Sequence, residues 1–250
     1  MSNDDLRTEY RSVLSKLSSD YKWTVEDKFS GVFLPTAFPA YKDTTPKILF
    51  VGRETSGWNT DNKKNTMQRI ITANENGSLN SIIDEAIQRY SWHLKDKADG
   101  KVKTKETSHL KRYYLKVANE LGLKPEAMIY SNLLSWDYDK GAPLKLPNKD
   151  REKIIELSIE LMSIQIKEFK PDYIIFATGV TGDSVIKKLF ESHFGGYSTE
   201  RVLPKKMWQF NAANATCFRI AHPRYQNGHA EFRQAVIDVI KSDAKIQPGN

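Results

Sequence analysis

Cysteine is almost absent from this sequence of 250 residues, in which Cys217 is the only one. A single cysteine excludes a disulfide framework, an iron–sulfur cluster and a zinc site made of cysteines within the chain. The five histidines are scattered, and neither a His-x-x-x-His pair nor a carboxylate triad predicts a metal site. We therefore expect no metal and no other cofactor.

Long apolar runs are also missing. No stretch reaches the ~18 apolar residues that a membrane-spanning helix needs. The first residues, MSNDDLRTEYRS, are polar and lack the apolar core of a signal peptide. These features predict a soluble cytoplasmic protein without membrane contact.

The composition is that of a folded protein with a basic surface. Hydrophobic residues make up 39% and aromatic residues 11% of the chain, which is enough for a proper core. Lys and Arg number 38 against 31 Asp and Glu, and the net charge of +7 mildly favours a polyanionic partner. Without repeats or a clear linker, we predict one domain over residues 1–250, with an elaborated connection at about 59–107.

Strand and helix patterns alternate along the chain. Short apolar runs bounded by glycine, proline or polar residues predict four strands, at 47–51, 127–134, 172–179 and 216–223. Helical spacing predicts helices at 4–18, 65–90 with a break at 76–77, 108–121, 148–169, 181–193 and 229–242. This order predicts an α/β fold: a three-layer αβα sandwich around a central, mostly parallel, four-stranded sheet.

Polar and aromatic residues follow each predicted strand, where open α/β sheets bind their ligands. The first strand is followed by GRETSGW (52–58), the second ends near Asn132 before Trp136 and Asp137, the third ends at Gly179, and the fourth ends at His222. We expect these side chains to face one crevice. Simpler roles stay open, because Glu54 could pair with Arg53 and His222 could be a structural loop histidine.

Four short motifs in this order resemble the uracil-DNA glycosylase superfamily. They are VGRETSGW (51–58), IYSNLLSW (129–136), KPDYIIFATG (170–179) and IAHPRY (220–225). The resemblance covers roughly residues 47 to 240 and is closest to the bacterial and archaeal branch whose first motif is Gly-Glu-x-x-Gly. It implies a uracil-DNA glycosylase-like fold and a monofunctional DNA glycosylase, which flips a pyrimidine out of DNA and hydrolyses its N-glycosidic bond.

The resemblance also implies roles for individual residues. Glu54 matches the acidic residue that stabilises the sugar cation or activates water, and His222 matches the donor to the leaving base. Asn132 matches the amide that reads the pyrimidine edge and completes the catalytic set. The implied base-binding residues are Gly52, Trp58, Asn132 and Trp136. The implied DNA-binding residues are Arg53, Arg224, Tyr225 and Gln226, with Lys101 and Lys103 from the lysine-rich segment.

Some positions depart from the family pattern. The branch commonly holds a four-cysteine iron–sulfur cluster, which a chain with one cysteine cannot form. His-Pro-Arg stands where the family has His-Pro-Ser, and Trp58 alters the first motif. The base therefore stays open between uracil and a modified pyrimidine, including a hypermodified phage base. Base-excision repair and defence against phage would use the same chemistry.

Two other functions fit the same residues. A catalytically silent nucleic-acid-binding protein of this fold would bind DNA in a salt-dependent way without releasing a base. A hydrolase of free nucleosides or nucleotides would cleave a small substrate without affinity for DNA. Should Glu54 be structural, Asp137 and Asp139 in the loop after the second strand are the next candidates for a general base.

Overall fold

The computed structural model describes residues 3–17, 28–58, 67–95 and 100–243. Within these ranges the helices are α1 (Asn3–Leu14), α2 (Pro39–Lys42), α3 (Met67–Glu75), α4 (Leu79–Ser91), α5 (His109–Glu120), α6 (Asn148–Phe169), α7 (Asp183–His193) and α8 (Ala230–Asp243). The strands are β1 (Ile48–Gly52), β2 (Ile129–Asn132), β3 (Tyr173–Phe176), β4 (Ser198–Leu203), β5 (Met207–Ala212) and β6 (Ala215–Ile220). Parts of the predicted connection, residues 59–66 and 96–99, lie outside the described residues.

Among the described residues the sheet has six strands, so the predicted four-stranded sheet was wrong in its strand number. The additional pair is the antiparallel hairpin of β4 and β5. Strand β4 is exposed along nearly its whole length, so no alternation of apolar and polar residues marks it in the sequence. The tight turn between β5 and β6 uses Ala213 and Asn214, both at positive φ, and alanine is not a typical turn residue.

The strands form one mostly parallel sheet in the order β2-β1-β3-β6-β5-β4, with helices flanking it. Strand β1 pairs in parallel with β3, and β3 pairs in parallel with β6. Strand β5 pairs antiparallel with β6 and with β4, which forms the edge of the sheet. The molecule is therefore an α/β protein, as the alternation of strands and helices predicts.

The chain folds into two compact units built from interleaved segments. The helical unit comprises Met1–Thr36, Arg53–Ser91 and Asn132–Glu168, and its helices are α1, α3, α4 and α6. The sheet unit comprises Ala37–Gly52, Trp92–Ser131 and Phe169–Asn250, and it holds the sheet with α2, α5, α7 and α8. Asn132, the last residue of β2, is the point where the chain passes from the sheet unit to the helical unit.

The helical unit packs around buried aromatic rings. The Tyr10 hydroxyl donates to the Pro35 carbonyl at 2.7 Å, and the rings of Phe33 and Tyr90 meet edge to face at 5.6 Å. The backbone N–H of Phe33 donates to the carbonyl of Ser135 at 2.8 Å. The segment that precedes α2 is thereby fixed against the segment that follows β2.

The sheet unit has an aromatic core. The ring of Phe210 on β5 stacks on Trp208 at 4.1 Å and meets Phe190 of α7 edge to face at 5.5 Å. Phe176 of β3 and Phe210 are both fully buried. Burying such rings contributes about 2 kcal/mol each relative to exposure, so the antiparallel hairpin is firmly attached to the parallel strands. No helix in the described ranges is both long and apolar enough to cross a membrane.

Candidate active site

Glu54 lies in an ion pair with its neighbour in the helical unit. The Arg53 guanidinium donates from Nη2 to Glu54 Oε1 at 2.7 Å and from Nε to Oε2, and the Glu54 side chain is only 12% exposed. The Arg53 carbonyl accepts the backbone N–H of Leu134 at 2.8 Å. This bond places the Glu54 segment beside the chain that leaves Asn132, so the structure brings two predicted catalytic segments together within the helical unit.

Asn132 ends β2 with a side chain that is almost completely buried, at 1% exposure. The residues on either side of it along the chain, Ser131 and Leu133, are equally buried. A buried amide has two donors and an acceptor that need partners, and it is held in a defined orientation once they are satisfied. Asn132 is thus a buried amide at the end of a strand, and the packing around it restricts its motion.

Asp137 holds the loop that carries Glu54. The carboxylate is fully buried and accepts hydrogen bonds from the Thr55 hydroxyl and from the backbone N–H groups of Gly57 at 2.9 Å, Trp58 at 3.3 Å and Lys140 at 3.1 Å. Its own N–H donates to the Ser30 hydroxyl at 2.9 Å. With four donors on one carboxylate, Asp137 is better suited to positioning the loop than to taking a proton. Asp139 lies exposed in the turn that follows.

The two tryptophans proposed for base binding have different surroundings. The Trp58 ring is partly exposed, meets Phe33 edge to face at 4.8 Å, and has the Arg89 guanidinium 5.5 Å from its centre. Trp136 is fully buried, and its Nε1 has no hydrogen-bond partner among the described residues. A ring without an exposed face offers no surface for stacking, so Trp58 is the aromatic candidate that this structure favours.

In the sheet unit, β1, β3 and β6 are parallel, so their carboxyl ends lie on the same side of the sheet unit. Gly52 ends β1, and the N–H of Gly179, just after β3, donates to the Ile220 carbonyl at 3.0 Å. Gly179 has a φ of 69°, where a side chain would be strained, and its Cβ position lies 3.6 Å from the backbone nitrogen of His222. Gly52, Gly179 and His222 therefore lie at the carboxyl ends of these parallel strands, as the sequence predicts.

The ring of His222 is oriented by the chain that follows it. The backbone N–H of Arg224 donates to His222 Nδ1 at 3.2 Å. Because Nδ1 accepts this bond, the ring is the neutral tautomer with its proton on Nε2. In this tautomer the hydrogen-bond donor of the ring is Nε2–H, and the imidazole is neutral.

Arg224 and Tyr225 form a protruding pair after His222. The guanidinium lies 5.0 Å from the centre of the Tyr225 ring and donates to its hydroxyl at 3.1 Å, and Tyr225 is 51% exposed. A cation stacked on an exposed aromatic ring can contact both bases and phosphates. This placement is compatible with the predicted contact to DNA.

Gln226 lies differently from the pair before it. Its side-chain N–H donates to the Pro223 carbonyl at 2.6 Å, and its amide also contacts His109 and Arg233. The amide therefore bonds to other protein groups. Any effect of Gln226 on DNA binding would come from positioning those groups.

Of the two lysines predicted to bind DNA, Lys101 is exposed and Lys103 is half-buried. Lys103 Nζ donates to Glu106 at 3.0 Å, and Lys111 lies 3.5 Å from the same carboxylate oxygen. The charge of Lys103 is thus balanced within the protein, which reduces what it can contribute to DNA affinity.

This cluster makes a testable contribution to stability. Burial acts to raise the pKa of Glu106, but the hydrogen bonds and charges of Lys103 and Lys111 outweigh it and lower the pKa below its ordinary 4.5. The stabilisation is therefore complete above pH 4.5 and is lost as the pH falls through the lowered pKa. We expect Glu106→Gln to cost about 1 kcal/mol at neutral pH and nothing in strong acid. Urea unfolding at both pH values measures this cost; an equal cost at both would contradict the assignment.

Four basic residues lie together in the structure but were not predicted as functional from the sequence: His109, Arg112 and Lys116 on α5, and Arg233 on α8. The first three recur at intervals of three and four, which places them on one face of a helix. Their spacing in the sequence therefore indicates a basic helix face. No such pattern marks Arg233, whose position next to Gln226 depends on how α8 packs.

Together these features define an α/β protein with polar and imidazole side chains at the carboxyl ends of its strands. No protein-family model matches the sequence, and a search of curated proteins finds no significant similarity. The resemblance to uracil-DNA glycosylases thus depends on the four motifs and stays a prediction.

Proposed function

We propose that the protein is a monofunctional DNA glycosylase that flips out uracil or a modified pyrimidine and hydrolyses its N-glycosidic bond, leaving an abasic site. The observation that carries the proposal is the hydrogen bond from the Arg224 N–H to His222 Nδ1. It makes Nε2–H a neutral donor suited to a pyrimidine carbonyl oxygen, on which negative charge develops as the base leaves. The proposal includes the three-layer αβα arrangement of the superfamily and a cytoplasmic location, in base-excision repair or antiviral defence.

The reaction balances without a cofactor. The bond between the sugar C1′ and the base nitrogen breaks, and the electron pair leaves with the base as an anion that His222 Nε2–H stabilises. Glu54 stabilises the developing sugar cation and takes the proton of the attacking water, which forms the new C1′–O bond. Asn132 holds the pyrimidine edge, and the partly exposed Trp58 ring contacts the extruded base.

Three features of the surroundings support this assignment. The carboxylate of Asp137 fixes the backbone of the loop that bears Glu54, and Arg53 fixes the carboxylate of Glu54 itself. Arg224 and Tyr225 lie exposed immediately after His222, where a DNA strand would be contacted. Catalytic groups held by packing and hydrogen bonds before the substrate arrives lose little entropy on binding it.

The test is the release of base from oligonucleotides that contain uracil or modified cytosines, in single and double strands, with abasic sites cleaved by alkali. We expect His222→Ala to reduce the rate of release by about 10²- to 10³-fold, the effect of losing one donor to a developing anion. His222→Gln retains an N–H donor and should recover part of the rate. His193→Ala, at the end of α7, removes a different imidazole and serves as the matched control.

The outcomes separate the candidate functions. A rate that His222→Ala leaves unchanged would exclude the role given to this residue. Salt-dependent DNA binding without any abasic product would identify a catalytically silent binder. Turnover of a free nucleoside without affinity for DNA would identify a nucleoside hydrolase.

A further inference from the structure

A basic cavity of about 470 Å³ lies in the sheet unit between α5, α8 and the loop that follows His222. Its lining includes His109, Arg112, Lys116, Pro223, Gln226 and Arg233. None of the residues that line the basic cavity carries a carboxylate. Lys116 Nζ lies 3.5 Å from Glu120, which is outside the lining, so the two arginines carry the positive charge that the cavity does not balance. A concave surface with two arginines and no acid in its lining favours an anionic ligand.

Arg233 is the buried member of this group, with an exposure of 7%. Its guanidinium donates to the Tyr225 carbonyl at 2.8 Å and contacts the Gln226 side-chain oxygen at 3.5 Å. No carboxylate in the described part of the chain lies within salt-bridge distance of it. Burial lowers the pKa of Arg233, although the nearby Tyr113 acts against this. A buried cation held only by neutral acceptors is costly for a protein and would be stabilised by an anion.

Three exposed side chains of the basic cavity, those of His109, Arg112 and Gln226, contact one another. Arg112 Nη2 at 2.7 Å and Gln226 Nε2 at 3.1 Å both donate to His109 Nδ1. The backbone N–H groups of the first turn of α5 add partial positive charge, and the Ser108 side chain does not cap them.

The position of the basic cavity suggests which anion it takes. Pro223 is the residue next to His222, and the Tyr225 N–H donates back to the His222 carbonyl at 2.9 Å, so the loop is a tight turn. A strand whose nucleotide reaches His222 has phosphates on both sides of that nucleotide. Arginine binds phosphate oxygens through a planar fork of two N–H groups, and Arg112 is the exposed arginine of the basic cavity that can offer such a fork.

We propose that the basic cavity binds a backbone phosphate of the DNA strand whose base is contacted by His222. This rests on the proposed function, because it takes His222 as the residue that contacts the base. The recognised chemistry is a phosphate group, so inorganic phosphate and nucleoside monophosphates are the competing ligands to be tested.

The first experiment measures binding of labelled single-stranded DNA by fluorescence anisotropy between ~50 and ~200 mM salt. We expect Arg112→Gln to weaken binding about tenfold at low salt and to lower the slope of log K against log salt by about 0.7, the value for one phosphate contact on a single strand. Arg201→Gln removes the same charge from exposed strand β4 and should leave the slope unchanged. An unchanged slope in Arg112→Gln would overturn the proposal.

The second experiment identifies the phosphate. A neutral methylphosphonate replaces one phosphate at a time on either side of the target nucleotide. For the wild-type protein, we expect one substitution near the target to weaken binding about tenfold, and for Arg112→Gln the same substitution should have no further effect. Additive losses would mean that Arg112 does not contact that phosphate, and would overturn the proposal. Arg233→Gln is the second variant, with its thermal unfolding measured, because Arg233 also holds the loop.

Two further measurements are the binding of free phosphate and the release of base. If Arg112→Gln abolished the binding of inorganic phosphate or a nucleoside monophosphate but left DNA binding intact, the basic cavity would be a site for small ligands, and the proposal would be wrong. Base release at saturating protein is measured separately on the same DNA. If the wild-type protein binds DNA through Arg112 but releases no base, only the glycosylase function is contradicted. If Arg112→Gln binds DNA as the wild-type protein does and releases base normally, only the phosphate site is contradicted.

Discussion

Glu54→Gln is expected to lower the rate of base release by about 10²- to 10⁴-fold, the range for removing a group that takes a proton from the attacking water. Glutamine retains the shape of the side chain and an oxygen that can accept from Arg53, so the loop should keep its conformation. The change removes the negative charge that stabilises the sugar cation. Single-turnover kinetics on the DNA that the wild-type protein cleaves measure the effect.

The controls separate chemistry from folding and binding. Glu75→Gln makes the same change at an exposed carboxylate in the helical unit and should leave the rate unaltered. The affinity of Glu54→Gln for DNA should stay close to that of the wild-type protein, because the loss is confined to the transition state. A rate equal to the wild-type rate would show that Glu54 serves only as the partner of Arg53, which is the simpler role that the sequence left open.

Asp183→Ala is expected to produce the largest loss of stability, about 3 kcal/mol, because it leaves a buried guanidinium without its carboxylate. Arg219 on β6 is 3% exposed, and its Nε lies 2.7 Å and its Nη2 3.1 Å from the two oxygens of Asp183, the first residue of α7. Its neighbours across the sheet are Phe176 and Trp208, which cannot accept its hydrogen bonds. Urea unfolding of the variant measures the loss.

Two further variants show whether the unpaired charge is the cause. The double variant Arg219→Met with Asp183→Leu removes both charges and should recover most of the stability, since apolar residues of similar size often replace a buried ion pair at little cost. Asp84→Ala breaks the exposed ion pair with Arg7 and should cost less than about 1 kcal/mol. If Asp183→Ala were no more costly than Asp84→Ala, Arg219 would not depend on its carboxylate.

Much of the fold could be predicted because local patterns agreed with the final structure. The run ILFV (48–51) belongs to strand β1, every residue of which is buried, so the run is apolar without interruption. The break at Gly77 separates α3 from α4, and Gly77 has a φ of 68°, which favours glycine. The hairpin of β4 and β5 could not be predicted, because an exposed edge strand needs no apolar face. It is held by backbone hydrogen bonds, which do not depend on the type of side chain.

Single residues of the candidate site were harder to interpret than the strands that carry them. The sequence predicts the same role, base binding, for Trp58 and Trp136, but Trp58 is partly exposed whereas Trp136 is fully buried. Lys103 is one basic residue among several in its segment, and only the contact with Glu106 shows that its charge is balanced. Burial and pairing depend on residues that are distant in sequence, so no local pattern can report them.

The sequence by itself determined the α/β class, the placement of Glu54, Asn132 and His222 at strand ends, and the absence of a disulfide framework. These follow from the period of the apolar residues and from composition, which are local properties of the chain. Only the tertiary structure decided that Asp137 holds the Glu54 loop, that His222 carries its proton on Nε2, and that α5 and α8 enclose a basic cavity. The first two require particular atoms to lie about 3 Å apart, and the third requires two helices distant in sequence to lie side by side. Such proximity exists only once the helices and strands have packed.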